Sequence, residues 1–241
     1  MAEVQECHVA LVTGASQGLG AGLVEALVAR GYVVYAGSRS KPANPEQDTP
    51  HVIRLEMDMA DDNQISTAVE EIRKRHGRLD LVVNNAALNK ESATVGGSKA
   101  HVARLTDLRR DALLRMFDIN CVAPLLLAAA ALPLMKAPNC FIVNISSSRA
   151  SFHDEFENRD GNYGYRGSKV ALNMATYCLC KDLPPNVQTF AVHPGSVRSR
   201  MNPAGTVTPR AAADNILGIM DRWDPVLNGR FLRPDGSLYP L

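Results

Sequence analysis

The sequence carries almost no net charge. Its 26 lysines and arginines against 25 aspartates and glutamates leave +1 over 241 residues, without the strong basic excess of a dedicated nucleic-acid surface. It also lacks a long uninterrupted apolar run. The longest, Cys121 to Met135, falls short of the roughly 20 residues that cross a bilayer and contains Pro124 and Pro133. No basic n-region or cleavage pattern opens the chain. These absences read as a soluble, cytoplasmic protein with neither a membrane nor a nucleic-acid partner. Paired cysteines are missing too. Cys7, Cys121, Cys140, Cys178 and Cys180 form an odd set with no Cys-x-x-Cys, so they read as small apolar residues in a reducing compartment. The six histidines contain no His-x-x-x-His, and no metal site is expected. Repeats, low-complexity tracts and interdomain linkers are absent as well.

What is present is an ordinary globular composition, 46% hydrophobic, and a length that one sizeable core can use. Short apolar runs at Val9–Val12, Val33–Ala36, His51–Met57, Leu79–Asn84, Phe141–Ser146, Val187–Val192 and Gly229–Leu232 read as strands. Helical spacing appears from Leu23 to Arg30, over Ile65–His76, in one long helix over Leu108–Lys136, over Tyr165–Asp182 and over Arg210–Met220. This alternation predicts an α/β fold: a single domain spanning 1–241, with a doubly wound parallel sheet of Rossmann type and helices on both faces. A proline-rich crossover at Ser40–Pro50 replaces one helix. Long loops at 86–106 and 151–163 follow strand ends, where such folds bind ligands. The run Cys121–Met135 is apolar all round, so it is expected to be covered on every side.

Between the first strand and its helix stand Gly14, Gly18 and Gly20, in Thr13-Gly14-Ala15-Ser16-Gln17-Gly18-Leu19-Gly20. A dinucleotide diphosphate there would meet backbone N–H groups at a helix N-terminus and the positive end of its dipole. A tight structural turn is the alternative. The second strand runs into Gly37-Ser38-Arg39 with no acidic residue. An Asp or Glu at that place would bind a ribose 2′-hydroxyl, whereas arginine suits a 2′-phosphate, which favours NADP(H). Arg39 as a solvated surface residue is the plainer reading. Tyr165 and Lys169 lie at i and i+4, one helical turn apart. An ammonium near a phenol favours phenolate and lowers its pKa.

Taken together, these motifs resemble the short-chain dehydrogenase/reductase family over essentially the whole chain. The glycine turn is similar to its cofactor turn, and Asn84-Asn85-Ala86-Ala87 to its fourth-strand motif. Asn120, Ser147, Tyr165 and Lys169 match its catalytic tetrad, and Pro194-Gly195-Ser196-Val197 its nicotinamide-side turn. The segments Tyr165–Met174, His193–Gly195 and Gly229–Leu232 with Asp235-Gly236 are similar to the C-factor/sniffer-like carbonyl reductase branch.

The resemblance implies an NADP(H)-dependent enzyme that moves hydride between nicotinamide and a ketone, aldehyde or secondary alcohol. Tyr165 would be the general acid or base, and Ser147 the hydrogen-bond partner of the substrate oxygen. Lys169 would lower the Tyr165 pKa and hold the ribose; Asn120 would steady a water-linked relay to Lys169. Gly14, Ser16, Gln17, Gly18, Leu19, Gly20, Arg39, Asp58, Met59, Asn85, Ala86, Tyr165, Lys169, Val197 and Ser199 would hold the cofactor. Asp58 would accept from the adenine amino group, and Val197 would hold the carboxamide by its backbone. The helices containing Cys121–Met135 and Tyr165 would form a homodimer or homotetramer, unless the first is simply buried in a monomer.

Ser146, Ser147 and Ser148 leave the register of the catalytic hydroxyl open by one position, with Ser147 preferred. Tyr163 competes with Tyr165 but lies six residues before Lys169, on another face. Asn120 could merely interrupt the long helix. Ala87, Gln17, Ser196 and Arg200 depart from the family pattern; the last two replace a bulky aromatic and an acid, which implies a wider, more polar pocket. The acidic stretch His153–Asp160 either borders the pocket, favouring a cationic or polyhydroxyl substrate, or is a solvated loop. Two further functions remain open: a tailoring enzyme that uses the same pocket for elimination, epimerisation or cyclisation, and a nucleotide-sensing protein without turnover. An intact tetrad speaks against the last.

Overall fold

The computed structural model describes residues 7–40, 49–89, 94–95, 98–99, 105–153 and 161–241. Seven short strands form its sheet: β1 (Val9–Thr13), β2 (Val33–Ser38), β3 (Val52–Glu56), β4 (Leu81–Asn84), β5 (Cys140–Ile145), β6 (Val187–Val192) and β7 (Phe231–Leu232). They are parallel throughout and pair in the order β3-β2-β1-β4-β5-β6-β7. β1, β4 and β5 are buried along their whole length, as strands covered on both faces must be. The order reverses between β1 and β4, and the crevice above that point is where a doubly wound sheet receives its ligand.

Six helices cover the two faces: α1 (Gly18–Ala29), α2 (Asp62–His76), α3 (Arg110–Phe117), α4 (Ala123–Ala131), α5 (Tyr163–Asp182) and α6 (Pro209–Asp221). On one side Leu23 and Leu27 of α1 and Ile216 and Leu217 of α6 pack with Val12, Val83 and Val143. On the other, Ile65 and Ile72 of α2 and Leu127 and Ala131 of α4 pack with Leu11, Val82 and Ile142. Local chemistry sets the ends of α2. The Asp61 carboxylate accepts from the N–H groups of Asn63 and Gln64, and Gly77 closes the helix at φ 67°, the left-handed geometry that a Cβ disfavours.

The expected helix over Leu108–Lys136 is corrected in detail. The helical run is 25 residues, Arg110–Leu134, but Asp118–Val122 forms a π turn between α3 and α4 and Leu132–Leu134 a 3₁₀ turn. The extra residue of the π turn, invisible to a 3.6-residue pattern, rotates Asn120 inward. By length and composition this run could cross a bilayer, though half of its most apolar window is buried in the protein. Within the single chain Cys121–Met135 is not covered on every side: Val122 and Leu126 are 44% and 43% exposed. The loop 86–106 contains a short antiparallel pair, Thr94–Val95 with Ser98–Lys99. The proline-rich crossover falls mostly, and the acidic stretch almost entirely, outside the described residues.

Candidate active site

The glycine turn sits at the C-terminal end of β1, against the turn that follows β4. Thr13 ties the two together: its hydroxyl accepts from the N–H groups of Asn85 and Ala86, both at 3.0 Å. Asn85 reaches back, its Nδ2 donating to the carbonyls of Thr13 (2.8 Å) and Gly14 (3.1 Å). Close approach leaves no room for side chains. A Cβ at Gly20 would lie 2.2 Å from the Gly14 oxygen, and one at Gly14, which has φ +63°, 2.9 Å from Ala86 Cα. The result is a bare backbone cradle at the start of α1, where N–H groups and the helix dipole favour an anion. These residues fit a dinucleotide diphosphate.

A cavity of about 800 Å³ opens above the cradle. Every residue expected to hold the cofactor lines it, from Gly14 through Arg39, Asp58 and Met59 to Val197 and Ser199. Arg39 is exposed at the end of β2. One Asp58 oxygen accepts from the Ala60 N–H at 3.0 Å. Leu88, Asn89 and Arg115 also line the cavity and were not expected. Arg115 lies on the exposed side of α3, where a charge looks like ordinary solvated surface.

Two of the four tetrad residues, Tyr165 and Lys169, line this cavity, and of the serine run it is Ser146 that lines it, not the expected Ser147. Tyr165 and Lys169 line it from the first turns of α5. Lys169 is 2% exposed, and its Nζ donates to the Ile145 carbonyl at 2.7 Å, 6.0 Å from the centre of the Tyr165 ring. Burial pulls its pKa down to about 8, with Cys121 acting the other way. Loss of hydration raises the Tyr165 pKa and outweighs the lowering by Ser147 and Arg149, so the net movement is upward. That direction is opposite to the one expected from an ammonium one turn away. The Lys169 Nζ donates to a carbonyl, and Arg149 was missed because it lies immediately beyond the serine run, outside the matched motifs.

Asn120 lies fully buried and lines no part of the cavity. Its Oδ1 accepts from the Leu88 N–H at 2.8 Å, and its Nδ2 donates to the Leu88 carbonyl and to Ser168 Oγ, both at 2.9 Å. Ser168 Oγ in turn donates to the Tyr165 carbonyl at 2.9 Å. Asn120 thus clamps the turn after β4 to the catalytic turn of α5. Tyr163 is 45% exposed and does not line the cavity. Among the described residues, no group of three metal-binding side chains occurs.

Comparison with known proteins shows the family and the fold. The family model for short chain dehydrogenases matches residues 8–208. The NADPH-bound carbonyl reductase from chicken fatty liver superposes with a TM-score of 0.84 at 25% identity, over 98% of this chain and 100% of that one. The carbonyl reductase Sniffer of D. melanogaster gives 0.83 at 28% identity over the same shares. The C-signal protein of Myxococcus xanthus is 30% identical over 168 residues, 68% of this chain and 93% of that one.

Proposed function

The chain belongs to the short chain dehydrogenase family, and from that premise we propose an NADP(H)-dependent reductase of ketones and aldehydes, reversible toward secondary alcohols. One observation carries the reading: Tyr165 and Lys169 line the same cavity as the glycine cradle. NADPH, when bound, supplies the hydride. Tyr165 donates its phenolic proton to the carbonyl oxygen, and Ser147 donates a hydrogen bond to the same oxygen. The upward pKa of Tyr165 supports the direction, because it keeps the phenol protonated at neutral pH, the form that reduction consumes. Lys169 binds the nicotinamide ribose, and Asn120 positions both through Leu88 and Ser168.

Arg39 and the lack of an acid at the end of β2 favour a 2′-phosphate, as does the NADPH held by the chicken enzyme. Asp58 serves the adenine and the Val197 backbone the carboxamide. Residues 1–241 act as one domain in a cytoplasmic homodimer or homotetramer. The exposed Val122, Leu126, Met174 and Tyr177 support self-association. Anaerobic mixing with NADPH and a panel of ketones and aldehydes, following the reduced nicotinamide absorbance, tests the proposal. Turnover of at least one carbonyl is expected. Bound NADPH that no carbonyl oxidises overturns it in favour of a non-redox reaction.

A further inference from the structure

The cradle for the diphosphate has no cation of its own. Residues 14–20 contain neither lysine nor arginine, so from that side the anion meets backbone and the neutral side chains of Ser16 and Gln17. Across the cavity runs the strap between Val197 and Val207, which form an isolated bridge. Ser199 is its closest approach to the cradle: a Cβ at Gly18 would lie 3.2 Å from the Ser199 Cβ. Ser199 and Asn202 exchange N–H···O bonds in both directions, at 3.0 and 3.1 Å, which makes Arg200 and Met201 the centre of a tight turn. Both line the cavity.

The turn is pinned at its base. Asn202 donates from Nδ2 to Ser196 Oγ at 3.1 Å, and Arg198 from Nε to the Gly205 carbonyl at 3.1 Å. Gly205 packs so tightly that a Cβ there would lie 2.4 Å from the Arg198 nitrogen. The backbone that presents Arg200 is therefore fixed before anything binds, which reduces the ordering cost. Other cations of the cavity are engaged or remote. Lys169 donates to Ile145, Arg115 faces Asp118 at 3.5 Å, and Arg39 sits at the end of β2. Arg200 is exposed and has no hydrogen-bond or ion-pair partner among the described residues.

Resting on the dinucleotide site proposed above, we propose that Arg200 is the side-chain cation of the cofactor's diphosphate, closing on it from the strap opposite α1. A guanidinium suits this task through its paired donors. The assignment makes a distinction that Arg39 cannot mimic, because the diphosphate is common to NADPH and NADH whereas the 2′-phosphate is not.

The test is a fluorescence titration of the whole chain with NADPH and with NADH, without substrate, for wild type, Arg200→Gln, Arg200→Lys and Arg39→Gln. Arg200→Gln is expected to weaken both cofactors by the same factor, about fivefold at low salt, with the difference shrinking as salt is raised. Arg200→Lys should recover part of the loss, and Arg39→Gln should weaken NADPH alone. An Arg200→Gln protein that loses only NADPH affinity overturns the assignment in favour of the 2′-phosphate. Unchanged affinity for both cofactors also overturns it, whether or not KM for the carbonyl rises. A wild-type chain that binds neither cofactor instead sinks the dinucleotide reading itself.

Discussion

Replacing Lys169 with methionine tests the electrostatics of the site independently of turnover. A buried ammonium held down from 10.5 to about 8 carries, at 1.36 kcal/mol per decade of proton activity, a cost to the folded chain of about 3 kcal/mol. Below pH 8 the amine is protonated in both the folded and the unfolded chain, and the full cost is present. Between pH 8 and 10.5 the folded chain loses the proton while the unfolded chain keeps it. The unfolded state then binds more protons, so stability rises with pH. Above 10.5 both states are neutral and the cost is gone. Methionine removes the titration altogether. It also removes the bond to the Ile145 carbonyl, an offset of about 1–3 kcal/mol that persists at every pH because a neutral amine still donates. Urea unfolding of the cofactor-free proteins should therefore show wild type gaining about 3 kcal/mol on Lys169→Met from pH 7.5 to 10.5. Tyrosines and cysteines away from residue 169 titrate alike in both proteins and cancel; Cys121, whose thiol the ammonium pulls down against its burial, adds a smaller coupled contribution. A stability difference flat across that range would refute the buried, protonated lysine.

Tyr165→Phe should still bind NADPH while its rate of carbonyl reduction falls by about 10²–10⁴; retained turnover would remove Tyr165 as the acid. Thr176→Val leaves the buried Nδ2 of Asn144, which now donates to Thr176 Oγ1 at 2.9 Å, without its acceptor. Chemical denaturation should register a loss of about 1–3 kcal/mol. Gly20→Ala forces a Cβ into the Gly14 carbonyl. The expected result is lost cofactor binding in a fluorescence titration together with a lowered Tm, and an alanine variant that binds NADPH normally would deny that the cradle is this tight.

The sheet was legible because its strands are near-continuous apolar runs bounded by turn residues, and alternation with helices leaves few topologies. Ends were less legible. α5 begins at Tyr163, two residues before the expected start, because Asn162 adopts φ 39° and stops the preceding loop. Nothing in residue type announces that choice. The π turn at Asn120 escaped for another reason: the stretch around it is apolar almost throughout, so hydrophobic spacing has no phase there that an extra residue per turn could shift. In the site, the glycines, Tyr165 and Lys169 stood out through their spacing. Thr13 and Ser168 did not, although each bonds two parts of the chain that are far apart in sequence. A small hydroxyl residue looks the same whether it faces water or ties a turn. The direction of the Tyr165 pKa was hidden similarly, since desolvation depends on what surrounds the ring and not on which cation lies a turn away.

The polar ties beneath α5 explain why so apolar a sheet tolerates them. Asn84 of β4 donates to Asn144 of β5 at 2.8 Å, and Asn144 donates to Thr176 of α5 at 2.9 Å. Nearer the cavity, Asn120 reaches Ser168 and Lys169 reaches Ile145. Each tie buries groups that apolar packing would replace without penalty, so stability alone gives no reason for them. The last three have a geometry in common: they run from the C-terminal end of β5, or the π turn beside it, to the face of α5 that carries Tyr165 and Lys169, and Asn84 braces the first of them from β4. Hydrophobic contacts fix a helix against a sheet without setting its rotation or its height closely. Directional bonds at residues 168, 169 and 176 fix both, and the proton transfer proposed for Tyr165 needs the phenol placed within a fraction of an ångström of the reacting oxygen. The buried polar network is thus the means by which a rigid sheet imposes its precision on a single phenol.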